Sequence, residues 1–450
     1  AQRGAPFPDW PTRAARLRAL ETLIRQHRRE IVEAIDADFG GRPSEETDLL
    51  EIFPSLGGIA HALRHGRRWM RPRRRFATLW FLPARTHLLP QPLGLIGVIV
   101  PWNYPLYLAV GPITDALAAG NHVLVKMSEF TPRFSALFAA LIARHFPAGE
   151  VRIINGDADV AQTFSSLPFD HLLFTGSTAV GHQVMRAAAE NLTPVTLELG
   201  GKSPALIGPG ARFEHAVERI VLGKCVNAGQ TCIAPDYVLI ERERQAAFVD
   251  IARSVVARFY PEFASNRQYA SIISERHFQR LVSLRDGAVA DGAKVYPLAD
   301  DPGPGRRMAP TVLTDVDPAT SLMREEIFGP LLPLVPYDSL DEALNFIAVR
   351  PRPLALYLFD DDATTIERML ERTIAGGVTV NDTLYHIAQH YLPFGGVGAS
   401  GMGAYHGEDG FRTFSKMKPI FRQARVNFVG LLDPPYGVRF QRLLRFLVGR

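Results

Sequence analysis

Two side chains in this 450-residue chain carry the chemistry of a covalent catalyst. Cys232 stands in Asn227-Ala228-Gly229-Gln230-Thr231-Cys232-Ile233-Ala234-Pro235. Small and polar neighbours, bracketed by Gly229 and Pro235, suit an accessible nucleophile better than a core filler. Glu198 closes the apolar run Val195-Thr196-Leu197 and precedes Leu199-Gly200-Gly201, which predicts a strand end facing a cleft. A cysteine sulfur attacks electrophilic carbon, and a carboxylate beside it can act as general base. The two lie far apart in the chain, so the fold has to bring them together. The second cysteine, Cys225, follows Gly223-Lys224 on a helical pattern and reads as a small buried side chain. No C-x-x-C pair and no histidine at ligand spacing accompanies either, so no metal site is expected. Two cysteines make no disulfide framework, which fits a reducing, cytoplasmic setting. No Gly-x-Ser-x-Gly elbow competes.

The elements that would position these groups alternate. Leu93 to Val100 is a continuous apolar run of the buried-strand kind, and Leu106 to Ala119 is helical. His122-Val123-Leu124-Val125-Lys126 is a second strand. Thr131-Pro132 reads as a helix N-cap with proline at the first helical position. Arg152-Ile153-Ile154 and His171-Leu172-Leu173-Phe174 are further strands, and a second alternating series runs from about Ser203 to Val380. Such alternation predicts α/β architecture, parallel sheets with helices on both faces. Ahead of it, residues 11 to 39 predict one long helix, with Leu17, Leu20, Leu23, Ile24, Ile31 and Ile35 at helical spacing. Residues 45 to 71 continue the pattern until Pro72, and residues 76 to 92 read as an extended arm. The tail from Lys416 is poorly periodic until Phe440.

After Phe174, Thr175-Gly176-Ser177-Thr178-Ala179-Val180-Gly181 opens a helix that runs through about Ala189. A glycine turn between strand and helix can cradle phosphate with backbone N–H groups and the helix dipole. The spacing is Gly-x-x-x-x-Gly, and an ordinary tight turn is an equal reading of it. By themselves, Asn103 is a turn residue before Pro105 and Glu325-Glu326 a solvated pair. The glycine-rich stretch from Gly395 to Gly407 reads as a loop packed by close backbone approach. It is not read as a phosphate site, because no helix pattern follows directly.

Composition excludes other classes. The chain is 47% hydrophobic with a net charge of +4, ordinary for a globular enzyme. The arginines between Arg64 and Arg75 lack aromatic platforms or a nucleic-acid module, and read as a solvated helix end or subunit contact. No apolar run is long enough for a spanning helix. The basic amphipathic stretch Val438 to Leu447 is read as docking on the protein's own core or a partner subunit. An anionic membrane surface is the alternative.

From about Leu93 to about Ser415 the chain resembles the aldehyde dehydrogenases. The likeness rests on Leu197-Glu198-Leu199-Gly200-Gly201-Lys202, the Cys232 segment, Phe174-Thr175-Gly176-Ser177-Thr178, Lys126-Met127-Ser128-Glu129 and Glu326-Ile327-Phe328-Gly329-Pro330. Gly376 to Thr383 and Leu392 to Gly407 resemble the class 3 branch, and within it the bacterial coniferyl aldehyde dehydrogenases. The resemblance implies two doubly wound parallel-sheet domains and a small oligomerisation arm. Residues 1–76 and 94–198 would form a Rossmann-like dinucleotide-binding domain and 199–390 the catalytic domain. Residues 77–93 and 391–450 would form bridging segments and tail. It implies oxidation of an aldehyde, aromatic or otherwise hydrophobic, through a cysteine thiohemiacetal and thioester. Cys232 would be the nucleophile, Glu198 the hydrolytic base, and the Asn103 amide with the Cys232 N–H the oxyanion donors. NAD would sit on Trp102, Lys126, Glu129, Gly176, Ser177, Gly181, Leu199, Glu326 and Phe328, with NADP also open. Met127 replaces the proline usual after this lysine. Trp102, Tyr104, Tyr107, Tyr385 and His386 are candidates for an aromatic substrate pocket. Acyl transfer to coenzyme A, or a non-catalytic scaffold with the same fold, is the alternative; Glu198 favours release of a free carboxylate, and Cys232, Glu198 and Asn103 together speak against a scaffold. The implied assembly is a homodimer.

Overall fold

In the computed structural model, which describes residues 7–427 and 429–449, the strands sort into three sheets. One has six strands, in the order Gly401–Met402, Val195–Leu199, His171–Gly176, Leu95–Ile99, His122–Lys126 and Val151–Ile154. All pair in parallel except Gly401–Met402, which runs antiparallel to Val195–Leu199. The second has seven strands, in the order Lys294–Pro297, Thr311–Thr314, Leu331–Tyr337, Tyr237–Glu241, Pro204–Ile207, Ala355–Phe359 and Gly377–Val380. Here only the Lys294–Pro297 edge is antiparallel. The third is a small antiparallel arm of Arg73–Arg75, Arg85–Pro92 and Ser415–Arg422.

The apolar runs explain the parallel sheets. Ile96, Val98, Leu172, Leu173, Ala205, Leu206, Val238 and Leu239 are fully enclosed, as strands covered by helices on both faces must be. In the six-stranded sheet the chain winds outward from Leu95–Ile99 through the next two strands, then returns to its other side with His171–Gly176. That reversal leaves a crevice at the carboxyl ends of the strands, where open α/β sheets bind ligands. Pro101-Trp102-Asn103, Lys126 and the Gly176-Ser177 turn all stand at those ends.

Several expectations need correction. The first helix is two, Trp10–Gln26 and Arg28–Phe39, broken at His27. No buried apolar residue falls between Ile24 and Ile31 to hold that turn. Between Ser44–Thr47 and Phe53–Trp69 the helix widens into a π turn at Asp48–Ile52, just before Pro54, which lacks an N–H and crowds the preceding turn. The tail from Lys416 contains the strand Ser415–Arg422. Its side chains are mostly exposed, so it carries no burial period, and its register comes from pairing with Arg85–Pro92. A helix, Gly407–Thr413, does follow the glycine-rich stretch directly. That stretch packs by close backbone approach as expected: a Cβ on Gly396 would lie 2.0 Å from the Ser400 carbonyl oxygen. The arginines at Arg64, Arg67, Arg68, Arg71, Arg74 and Arg75 are exposed.

Candidate active site

The helix Phe213–Cys225 delivers the chain into a strained turn ahead of Cys232. Asn227 and Ala228 take left-handed conformations (φ 49° and 51°), and Gly229 follows at φ 73°. Such backbone costs about 1–3 kcal/mol at a non-glycine residue and persists only where its surroundings fix it. Here they do. Asn227 donates its side-chain amide to the carbonyls of Asn103 (3.1 Å) and Gln230 (3.2 Å). The Gln230 amide donates to Asn227 O and Ser271 O, each at 3.0 Å, and its oxygen accepts from Ile273 N at 2.9 Å. A side chain at Gly229 would meet Gly329 O at 2.4 Å, so this turn abuts the segment carrying Glu326 and Phe328. Cys232 emerges half-buried, whereas Cys225 is buried in the core.

Asn103 comes to the same turn from the other sheet. It is buried, and its amide donates to Gln230 O at 3.2 Å. Next to it, the Tyr104 hydroxyl meets Thr231 Oγ1 at 2.6 Å. Two neighbouring residues are thus tied to two others that immediately precede the thiol.

Glu198 lies on Val195–Leu199, opposite Gly401 across the antiparallel edge, with 2% of its surface exposed. Neither carboxyl oxygen has a hydrogen-bond partner in the protein. Burial therefore pushes its pKa well above the ordinary carboxylate range. Burial also raises the Cys232 thiol, and the Glu326 and Glu198 carboxyls raise it further. The backbone N–H groups of Cys232 and Ile233 pull the other way. Glu198 thus contributes to the electrostatics at Cys232.

The cofactor candidates fall into two groups. At the strand ends, Ser177 caps the helix Thr178–Ala189, accepting from Val180 N at 3.4 Å. A Cβ on Gly181 would lie 2.6 Å from Leu199 Cδ2, so the turn closes tightly onto the Glu198 strand. Lys126 is buried and donates to the carbonyls of Met127 (2.7 Å) and Gly156 (2.8 Å). Its ammonium feels the carboxylates of Glu129, which is exposed, and Asp157. Thr131 does stand at the start of Pro132–His145, but its hydroxyl does not cap it. The Asp38 carboxylate does, accepting from Arg133 N (3.0 Å) and Phe134 N (2.9 Å).

On the other side, Glu326 is no solvated residue. Burial, with Asp236 nearby, pushes its pKa up to about 8. Its carboxyl group lies against Gly200, where a Cβ would come within 2.0 Å of it. Lys202 pairs with Asp236 and donates to Leu322 O (2.8 Å) and Glu325 O (3.0 Å), while Asp236 accepts from Ile327 N at 3.0 Å. Phe328, at φ 51°, meets Trp102 edge to face at 5.3 Å. The buried Glu326 Oε1 and Thr175 Oγ1 have no protein partner. Unpaired buried acceptors and hydroxyls beside a glycine-cradled helix N-terminus suit a phosphate- and ribose-bearing group, so these residues fit NAD(P).

Of the aromatic candidates, Trp102 packs with Phe328 and Tyr104 is spent on Thr231. Tyr385 is 53% exposed and engaged by Arg219. Tyr107 and His386 sit deeper, joined through rings of Phe394 and His406.

Sequence reasoning missed a buried charged cluster beneath the turn. Arg42 and Glu51 form an ion pair at 2.9 Å with both side chains fully enclosed. Arg42 also donates to Asn103 O at 3.0 Å, and Glu51 accepts from Leu106 N (2.7 Å) and Tyr107 N (3.2 Å). Glu46, its pKa pushed up to about 7 by burial, accepts from Asn227 N at 3.1 Å. Acidic residues on a helical segment read as a solvated face. Only Gly40-Gly41 beforehand hinted that the segment turns inward.

The sequence of the chain matches the Aldehyde dehydrogenase family over residues 4–420. A probable coniferyl aldehyde dehydrogenase of Pseudomonas aeruginosa is 51% identical over 439 residues, covering 98% of this chain and 92% of that protein. The structure superposes on the substrate-bound AldH of Staphylococcus aureus with a TM-score of 0.92 at 38% identity, over 98% of this chain and 95% of the other. A betaine aldehyde dehydrogenase of Staphylococcus aureus in complex with NAD+ matches with a TM-score of 0.83 at 26% identity, over 95% of this chain and 86% of the other. The thiol, the buried carboxyl and the dinucleotide cradle therefore belong to an NAD(P)-dependent enzyme that oxidises aldehydes to carboxylic acids, and the chain is a member of the aldehyde dehydrogenase family.

Proposed function

We propose that Cys232 is the nucleophile and Glu198 the hydrolytic base of this oxidation. The Cys232 thiol gives up its proton to solvent, its sulfur bonds to the aldehyde carbon, and the carbonyl π bond breaks so that the oxygen takes up the negative charge. The Asn103 amide and the Cys232 N–H stabilise that oxyanion; one such donor contributes about 10²–10³ in rate. Bound NAD(P) supplies the acceptor for the hydride that leaves this carbon. Trp102, Lys126, Glu129, Gly176, Ser177, Gly181, Leu199, Glu326 and Phe328 would hold it, with Glu129 favouring the free ribose hydroxyl of NAD. Glu198 then takes a proton from water, the water oxygen bonds to the thioester carbon, and the carbon–sulfur bond breaks to release the acid. The observation that carries this reading is the Glu198 carboxyl: buried, without a partner, its pKa raised, and coupled to the Cys232 thiol. Glu198→Gln should give a burst of NADH equal to the enzyme concentration, then steady turnover slowed about 10²–10⁴-fold. Normal steady turnover would remove Glu198 as the base.

The same reading extends to substrate and assembly. The substrate is read as an aromatic or other hydrophobic aldehyde, coniferaldehyde included, with Tyr107 and His386, whose rings join through Phe394 and His406, as candidates for its pocket. We read residues 1–76 and 94–198 as the dinucleotide domain and 199–390 as the catalytic one; the strands within 94–198 share one sheet and those within 199–390 another, whereas Arg73–Arg75 joins the arm sheet and Gly401–Met402 the six-stranded sheet. Residues 77–93 and 391–450 supply the arm through which a homodimer forms. Among the described residues no helix is long and apolar enough to cross a membrane. We read the enzyme as cytoplasmic. Phe446 of the Val438–Val448 helix meets Trp80 at 6.1 Å, which supports docking on its own arm over a membrane contact.

A further inference from the structure

The helix Phe213–Cys225 closes with Val226 N donating to Leu222 O. Asn227 then leaves the helix for the left-handed region, so its own N–H cannot continue the helical ladder. It donates instead to Glu46 Oε2 at 3.1 Å, a side chain of the short helix Ser44–Thr47. Asn227 is also the residue that joins the thiol turn to Asn103. Its side-chain amide donates to Asn103 O at 3.1 Å and to Gln230 O at 3.2 Å, two residues ahead of Cys232. The Asn103 amide donates to the same Gln230 O. One carboxyl from a distant segment therefore holds the backbone of the residue that ties the two parts of the reaction centre together.

A strained turn relaxes when what fixes it is removed, and the strength of this hold depends on charge. A hydrogen bond to an ionised acceptor is about twice as strong as a neutral one. Burial pushes the Glu46 carboxyl up to about 7, while Arg42 and the Asn227 N–H pull it back. Its charge also reaches Tyr104, Cys225, Tyr260 and Tyr269. Burial raises all four of these groups, so they stay neutral at pH 7. Arg42, already paired with Glu51, is the cation that faces Glu46. The carboxyl therefore ionises as pH rises through neutrality, and its grip on Asn227 N tightens.

We propose that Glu46 is a positioning residue of the oxidation: accepting from Asn227 N as a carboxylate, it fixes the turn that aims the Cys232 sulfur and N–H at the aldehyde, and so acts on the chemical step and not on aldehyde or dinucleotide binding. This rests on the reading of Cys232 and Asn103 above.

The test measures kcat and KM for benzaldehyde and decanal, and KM for NAD+, between about pH 6 and about pH 8.5. Glu46→Ala leaves Asn227 N unpaired and should lower kcat about 10–10²-fold, the scale of a small misplacement of reacting groups, with each KM within about twofold of wild type. Glu46→Gln keeps an acceptor of the same shape but never ionises. The ratio of wild-type to Glu46→Gln kcat should be close to one near pH 6 and rise to about 2–10 near pH 8.5. Titration of Cys232 and Glu198 is common to both enzymes and cancels in that ratio. A wild-type kcat in folded Glu46→Ala, with only the unfolding midpoint lowered, would make Glu46 structural and overturn the proposal. A kcat ratio that stays flat with pH would overturn it too, and decides the matter alone if Glu46→Ala does not fold. Turnover that persists in Cys232→Ala would instead overturn the thiol reading on which the proposal rests.

Discussion

Glu198 and Glu51 are both enclosed carboxyls beside the reactive turn, yet the protein treats them in opposite ways. Glu51 has Arg42 at 2.9 Å and two backbone N–H groups on its second oxygen. Glu198 has nothing on either oxygen. Removing a carboxylate from water costs several kcal/mol unless a partner offsets it. Glu51 offsets part of that cost with these partners, though burial still raises its pKa, and so fixes backbone: Arg42 grips Asn103 O while Glu51 grips Leu106 N and Tyr107 N. Glu198 carries the cost unrelieved, which holds its pKa up and readies it to move protons. A partnered buried carboxyl holds backbone in place; one with no partner is left free to exchange its proton.

The largest expected effect that bears on this contrast belongs to the proposed nucleophile, Cys232. Cys232→Ala should lower kcat by at least ~10⁴-fold while NAD binding, followed by quenching of tryptophan fluorescence, stays near wild type. Retained turnover would take the thiol out of the reaction. Next comes the paired carboxyl. Arg42→Met removes the ion-pair partner of Glu51 and one of the two donors to Asn103 O, and should cost about 3–5 kcal/mol of stability in denaturant unfolding. Glu198→Gln, which strands nothing, should leave the unfolding midpoint unchanged or higher. Equal losses in both would erase the distinction.

Glu326 sharpens it with pH. Its folded pKa of about 8 lies above the usual 4.5. The unfolded chain therefore gives up this proton first as pH rises, and the folded state is progressively disfavoured until about pH 8. Without added NAD(P), Glu326→Gln should melt close to wild type near pH 4.5 and increasingly above it toward pH 8. A gap that narrows over that range would show that the carboxyl is held ionised.

The sequence revealed the strand-and-helix alternation because its strands are enclosed on both faces and read as apolar runs. The turn ahead of Cys232 was legible because small residues and a proline surround the thiol. Two things were not. The arm strand Ser415–Arg422 is exposed on both faces, so pairing rather than burial defines it and no periodicity records it. The Arg42, Glu46 and Glu51 cluster obeys no local rule at all. Its partners are backbone groups at Asn103, Leu106, Tyr107 and Asn227, contributed by distant segments, and nothing near residue 42 announces them. The same blindness put the cap of Pro132–His145 on its neighbour Thr131 instead of Asp38.

That helix start repeats the contrast on a smaller scale. Asp38 is bonded to two N–H groups of the first turn, whereas the buried Thr131 hydroxyl bonds to nothing. Asp38→Ala should therefore cost about 1 kcal/mol, the worth of a capping carboxylate. Thr131→Val replaces an unpaired hydroxyl by a methyl of the same shape and should be neutral or slightly stabilising. Both are read from urea midpoints at constant slope. If Thr131→Val costs as much as Asp38→Ala, the threonine hydroxyl is bonded in solution and the sequence rule, not the distant aspartate, describes this helix.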